Sequence, residues 1–325
     1  MDQPRRIIIS RTDSIGDVVL TLPMAAAIKK EMPQAEVYFL GNSYTKNIIE
    51  ACAHVDVFLN WDEIKNTHIA ETLSAIQASD IIHVFPNRNI ASAAKKANIT
   101  NRVGTTHRLY HWYTCNTRIA LSRKRSSLHE AQLNLKLLQG LHIKCDYSLQ
   151  EIQQMYGLAI DEKKSSNTKQ KKKVILHPKS RGSAREWGLQ NFRDLIRMMD
   201  PAQFDIYISG TKEEESFAAE LAKGFDHVNN ICGKMSLNEF IQFIGTCDAL
   251  IACSTGPLHI ASAKGIKAIG LYAPMKPIFP QRWAPIGTHS SYLVIDKDCN
   301  ACKNGGSCAC ILQIQPQQVL DELLK

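Results

Sequence analysis

Residues 7–17 read Ile7-Ile8-Ile9-Ser10-Arg11-Thr12-Asp13-Ser14-Ile15-Gly16-Asp17, an apolar run that passes at once into a polar turn and then into Val18-Val19-Leu20. Three consecutive isoleucines suit a strand covered on both faces, as in a parallel sheet. The turn feeds a helix expected over residues 18–28, with Pro23 early in it. Gly16 lets a ligand come close to the backbone, and a helix N-terminus favours negative charge. Asp13 and Asp17 place two carboxylates beside that turn. A poised carboxylate can take a proton from an attacking hydroxyl. Spacing alone reads Asp17 equally well as a helix cap.

Outward from this stretch the pattern repeats. Strands are expected at 37–41, 55–59 and 80–85, with helix at 48–52. Such alternation predicts a mostly parallel sheet and an α/β fold. Residues 161–173 are polar and low in complexity, an interdomain linker by composition. The pattern then restarts, with strands at 174–178, 204–210, 249–252 and 268–272 and helices at 192–199, 213–223, 257–263 and 317–324. Two α/β halves follow. Ligands of such sheets bind beyond the carboxyl ends of the strands, so a phosphate-bearing ligand is expected in a cleft between the halves.

Composition sets the outer limits. A chain of 325 residues accommodates two domains, and 44% hydrophobic with 22% charged residues excludes global disorder. The net charge of +8 favours anionic partners. The run at Ile7 is too short for a signal-peptide core, and no run of about 18 apolar residues occurs. A cytoplasmic location is therefore expected, with at most peripheral contact with the cytoplasmic face of an inner membrane. In that compartment the ten cysteines should be mostly reduced.

Further stretches carry candidate chemistry. Ser254-Thr255-Gly256-Pro257-Leu258-His259 sets a hydroxyl pair, a glycine and a first-turn proline after a strand, a ready phosphate cradle with His259 one turn in. His177-Pro178-Lys179-Ser180-Arg181-Gly182-Ser183-Ala184-Arg185-Glu186-Trp187 follows another strand. Its three cations suit a diphosphate and would help it depart as a leaving group. In Gly210-Thr211-Lys212-Glu213-Glu214-Glu215 a glutamate can accept from ribose hydroxyls, although acidic residues at a helix start are also ordinary. Finally, residues 81–129 contain no Asp or Glu but hold Arg88, Lys95, Lys96, Arg102, Arg108, Arg118, Arg123, Lys124 and Arg125. A one-sign segment of this length should meet a polyanion, either nucleic acid or an acidic glycan. Cys299, Cys302, Cys308 and Cys310 cluster near the C-terminus, where a structural zinc is a minor alternative to plain thiols. Asp296-Lys297-Asp298 has the form of a metal-binding Asp-x-Asp, but no strand-turn-helix setting.

Together these motifs resemble glycosyltransferase family 9, the bacterial lipopolysaccharide heptosyltransferases. The resemblance rests on Arg11-x-Asp13-x-Ile15-Gly16-Asp17 with Pro23, His177-Pro178 with Trp187, Lys234-Met235-Ser236-Leu237, and Ser254 to His259 in that order. It implies a GT-B fold: two Rossmann-like domains, 1–160 and 174–315, facing across a cleft, with 316–325 as a C-terminal helix returning to the first. It also implies inverting transfer of heptose from ADP-heptose to an anionic lipopolysaccharide core, without a required cofactor. Asp17 is then the general base. Lys179, Ser180 and Arg185 match donor-phosphate contacts, Glu214 a residue near the ribose and Met235 one near the adenine. Ser254, Thr255, Gly256 and His259 match the diphosphate-and-sugar turn, though some heptosyltransferases carry Asp at the Ser254 position. Arg11, Asp13, Gly16, Arg88, Arg102 and Arg108 fall on the acceptor side. Nucleic acid is not an expected partner on this reading. The alternatives are another nucleotide sugar or acceptor within the family, or a nucleic-acid-binding protein that uses the basic segment.

Overall fold

The computed structural model describes residues 4–158, 171–295, 299–303 and 309–325. The chain divides into two units, residues 1–159 and 160–325.

In the first unit the strands are β1 (Arg6–Ser10), β2 (Glu36–Gly41), β3 (Val57–Asn60), β4 (Asp80–His83), β5 (Asn101–Thr105) and β6 (Thr117–Ile119). They form a six-stranded sheet in the order β3-β2-β1-β4-β5-β6, with every pairing parallel. Ile7, Ile8 and Ile9 are fully buried at its centre, as three adjacent isoleucines require. The second unit repeats the plan with β7 (Lys172–His177), β8 (Phe204–Ile208), β9 (Val228–Asn230), β10 (Ala249–Cys253), β11 (Lys267–Tyr272) and β12 (Ser290–Val294). Its order is β12-β11-β10-β7-β8-β9, again all parallel. Both are doubly wound Rossmann sheets. In each, the order reverses beside the first strand, between β1 and β4 and between β7 and β10. That reversal opens a crevice at the carboxyl ends of those strands.

Three expectations change. The helix expected over 18–28 is two helices, Ile15–Val19 and Pro23–Glu31, because Pro23 has no N–H to continue the first and instead opens the second. The linker is shorter than 161–173 at its far end, since β7 already begins at Lys172, and residues 161–170 lie outside the described residues. The C-terminal helix Pro316–Leu324 belongs to the second unit. Its apolar stripe of Val319, Leu320 and Leu323 is buried in one core with Phe192, Leu195 and Ile251. Lys267 Nζ donates to the carbonyls of Glu322 (3.0 Å) and Leu323 (3.2 Å) at the end of that helix. A helix this short buries one stripe, and the helix Leu189–Met198 supplies the surface for it.

Candidate active site

The turn after β1 is built around one buried cation. The Arg11 side chain is only 4% exposed, and three carboxylates surround it. Its Nε donates to Asp13 Oδ1 at 2.7 Å, and Nη2 donates to Asp17 Oδ1. Nη1 reaches Asn134 Oδ1 (3.3 Å) and Glu130 Oε1 (3.5 Å) on the helix Glu130–Leu135. Burial works against the charged guanidinium, but Asp17, Asp13 and Glu130 outweigh it and hold Arg11 protonated. Arg123 completes the network, with Nε on Glu130 at 2.8 Å and Nη2 on Asn134 at 2.9 Å.

The two candidate carboxylates differ. Burial pushes the Asp13 carboxyl up to about 6; the Arg11 charge opposes this and the Asp17 charge adds to it. Asp17 is not a cap. The N-cap is Ser14, whose backbone is extended and whose hydroxyl donates to Asp17 Oδ2 and accepts no backbone N–H of the helix. Asp17 is the third helical residue, and its carboxylate is oriented from both sides, by Arg11 and by Ser14. Gly16 is buried within the same helix and has no left-handed backbone, so its contribution is the missing side chain.

The crevice of the second sheet is flanked by the turns after β7 and β10. After β7, Glu186 organises the basic loop. It accepts Lys179 Nζ (2.5 Å), Ser180 N–H (2.9 Å) and Ser180 Oγ (3.2 Å). Arg181 and Gly182 both have positive φ, 50° and 82°, which folds the loop back on itself. Arg185 is half-buried on the same loop. After β10, Thr255 caps the helix Gly256–Ala263 with extended backbone and no side-chain cap bond, and Pro257 occupies the first turn. The Thr255 hydroxyl is buried without a hydrogen-bond partner among the described residues. The two turns touch: Ser183 Oγ donates to the Ser254 carbonyl at 3.3 Å. His259 is buried one turn into the helix. His177, half-buried, meets Ser209 Oγ at 2.9 Å, and desolvation of its ring lowers its pKa to about 4, so it is neutral at physiological pH.

The remaining expected residues divide. Glu214 closes a capping box with Thr211, whose N–H it accepts at 2.8 Å, so the ordinary helix-start role is realised. Met235 is half-buried beyond β9, beside the cap residue Ser236. Arg88 is exposed at the start of the helix Arg88–Lys96, just past β4, and Arg108 is exposed just past β5. Both therefore lie at the carboxyl edge of the first sheet. Arg102 does not. It sits near the amino end of β5, and its guanidinium donates to the carbonyls of Thr114 (2.7 Å) and Ile99. That commitment ties local backbone together and corrects its place on the acceptor side. Arg118 is similarly spent on the Cys115 carbonyl (2.7 Å) and over the Trp112 ring. The basic segment is thus less of a continuous polyanion face than its sequence suggests. Cys308 and Asp296-Lys297-Asp298 lie outside the described residues.

Comparison with known proteins decides the family. The model for "Glycosyltransferase family 9 (heptosyltransferase)" matches residues 77–309. The chain belongs to glycosyltransferase family 9. This family-9 chain is 28% identical to a Haemophilus influenzae protein described only as a glycosyltransferase, over 93% of the chain and 90% of that protein. It is 22% identical to the lipopolysaccharide core heptosyltransferase OpsX of the same organism, over 94% of the chain and 88% of OpsX. Among solved structures, E. coli ADP-heptose lps heptosyltransferase II superposes with a TM-score of 0.77 at 16% identity, covering 98% of this chain and 97% of that one. E. coli heptosyltransferase WaaC with ADP gives 0.76 at 17%, covering 98% and 99%. These structures agree with the GT-B class of two Rossmann-like domains. The protein is a glycosyltransferase.

Two residues of this family-9 site escaped the sequence reading. Glu130 is the first acid after the acid-free segment, and it is 1% exposed against Arg11 and Arg123. Its position at the end of a one-sign run was the available signal. Glu186 stood inside the basic loop, yet no spacing rule singled it out as the acceptor that holds Lys179 and Ser180.

Proposed function

We propose that this enzyme transfers a heptose from ADP-heptose to the inner core of lipopolysaccharide with inversion. The observation that supports it most is the pair of joined turns at the crevice of the second sheet, bearing Lys179, Ser180 and Arg185 on one side and Ser254, Thr255, Gly256 and His259 on the other. In this reading the N-terminus of the helix Gly256–Ala263 and the loop cations hold the diphosphate. Met235 lies against the adenine, and the second carboxylate oxygen of Glu214 meets the ribose. Asp17 takes the proton of an acceptor hydroxyl. The hydroxyl oxygen bonds to the anomeric carbon as its bond to the diphosphate breaks, and ADP leaves with the electron pair. Lys179 and Arg185 neutralise the departing charge, so the step uses no cofactor. Relatives named as heptosyltransferases, OpsX among them, support the same sugar and acceptor class.

Thermal shift tests the donor. ADP-heptose at 100 times its Kd should stabilise the protein by about 2.7 kcal/mol through mass action. Stabilisation by a UDP or GDP sugar instead would overturn the assignment. Release of free heptose at full rate without acceptor would make the protein a hydrolase.

Contact with a membrane surface is part of this reading. Among the described residues no helix is long and apolar enough to cross a membrane. Past β5, however, Leu109, Trp112 and Tyr113 are 84%, 54% and 77% exposed, beside the exposed Arg108. Aromatics with cations suit the headgroup region of an anionic bilayer. Replacing Trp112 and Tyr113 together by Ser should cut co-sedimentation with anionic phospholipid vesicles several-fold. Unchanged co-sedimentation would remove this patch from the interface.

A further inference from the structure

Three thiols of the second unit take no part in the reaction above. The Sγ atoms of Cys299, Cys302 and Cys310 all lie within 4.8 Å of one another. Cys302 is fully buried, Cys310 nearly so, and Cys299 is half-buried. Cys302 stands on the short helix Asn300–Lys303 directly after Cys299, and Cys310 caps the turn Ile311–Gln313. Two separate stretches of chain therefore deliver sulfur to one point. Among the described residues this is the one group of three His, Cys, Asp or Glu side chains whose ligand atoms converge so closely.

We propose that Cys299, Cys302 and Cys310 hold a structural zinc-type cation that clips the chain after β12 to the stretch leading into the C-terminal helix. Zinc–thiolate bonds of about 2.3 Å in a tetrahedron set sulfur atoms about 3.8 Å apart, within the span seen here. A disulfide would use two of the three sulfurs and leave the third buried beside it. Cys302 and Cys310 lie in the apolar core of the second unit and Cys299 packs against it, but core membership does not by itself bring thiols together: Cys232 and Cys253 lie in the same core and join no such group. The local sequence adds a reason. Residues 299–310 read Cys-Asn-Ala-Cys-Lys-Asn-Gly-Gly-Ser-Cys-Ala-Cys, with no large apolar side chain to fix the stretch by burial. Short stretches of this kind are commonly held by a metal or a covalent link.

The clip supports the diphosphate loop from below. Trp187 Nε1 donates to the Ile314 carbonyl at 2.9 Å, and Asn191 donates to the Leu312 carbonyl at 3.0 Å. Trp187 ends the loop that carries Lys179, Ser180 and Arg185. The cation is thus a positioning element and touches no reacting atom. Each thiol gives up its proton on binding, so loading weakens in acid.

The test is metal analysis of the full-length chain purified under reducing conditions. Mass spectrometry should find one equivalent of zinc, or of iron if that metal fills the same thiolate site. Cobalt exchanged into it should show tetrahedral bands with thiolate charge transfer. Cys299→Ser, at the half-buried position, should lose most of the metal and the cobalt bands while keeping its far-UV circular dichroism. Cys302→Ala should do the same. Chelation should lower Tm by several degrees in the wild type and not in Cys299→Ser. Equal metal content in wild type and Cys299→Ser, no uptake of added zinc by the reduced protein, or a disulfide found by thiol titration before reduction would each overturn the proposal.

Discussion

Asp17→Asn is expected to lower kcat/KM for sugar transfer by about 10²- to 10⁴-fold, the range that a positioned general base contributes. On the proposed donor, ADP should stabilise the variant and the wild type alike, because every residue assigned to the diphosphate lies in the other unit. The replacement keeps the size of the side chain and a group able to accept from Ser14, so the turn should stay folded. What it removes is the basic oxygen. Near-normal turnover would exclude Asp17 as the base and leave Asp13 as the remaining candidate. A pH profile separates the two carboxylates. Asp13 is held up to about 6, so its carboxylate takes up a proton as the pH falls through that value, beside the Arg11–Asp17 pair. Activity should therefore fall on the acid side with an apparent inflection near 6. In Asp13→Asn that proton has no site, and the inflection should move to lower pH. An inflection that stays in place in Asp13→Asn would assign the proton elsewhere.

Arg11→Met should produce the largest loss of stability. The guanidinium is almost completely buried among Asp13, Asp17 and Glu130. Removing one partner from a buried ion network leaves the others uncompensated, at a cost of about 3–5 kcal/mol. Arg123 still pairs with Glu130 in the variant, which leaves the two aspartates as the exposed liability. Arg11→Lys should recover part of the loss, since it restores the charge without the fork that reaches several acceptors at once. Denaturant unfolding should be followed by a probe in the first unit, because two units need not melt together. A loss below about 1 kcal/mol for Arg11→Met would mean that the carboxylates relax into solvent and that the network is not structural.

These two residues show how differently the parts of the site are specified. Asp17 is a local matter. An apolar strand, a polar turn and a glycine decide where it stands, and they are adjacent in the chain. Arg11 acquires its role from Glu130 and Asn134, residues 119 and 123 positions away, which only the packing of the helix Glu130–Leu135 brings near. The same division runs through the fold. The central strands β1, β4, β7 and β10 were legible because burial on both faces demands unbroken apolar runs. The strands β5, β6, β9 and β12 were not, since they are short or carry Asn, Thr, Ser and Gly that read equally well as turn.

By itself, then, the sequence determined two α/β halves, the placing of residues 11–17, 177–187 and 254–259 directly after strands, and a likeness to family 9. These follow from periodicity and from turn chemistry, which act over a few residues. Tertiary structure alone decided that Arg11 is the buried hub of the first turn and that Glu186 holds Lys179 and Ser180. It also showed that Arg102 serves its own backbone, that the last helix closes the second core, and that three cysteines from two stretches meet. Each depends on a contact or a competition between partners, and a linear spacing carries no record of which side chain wins.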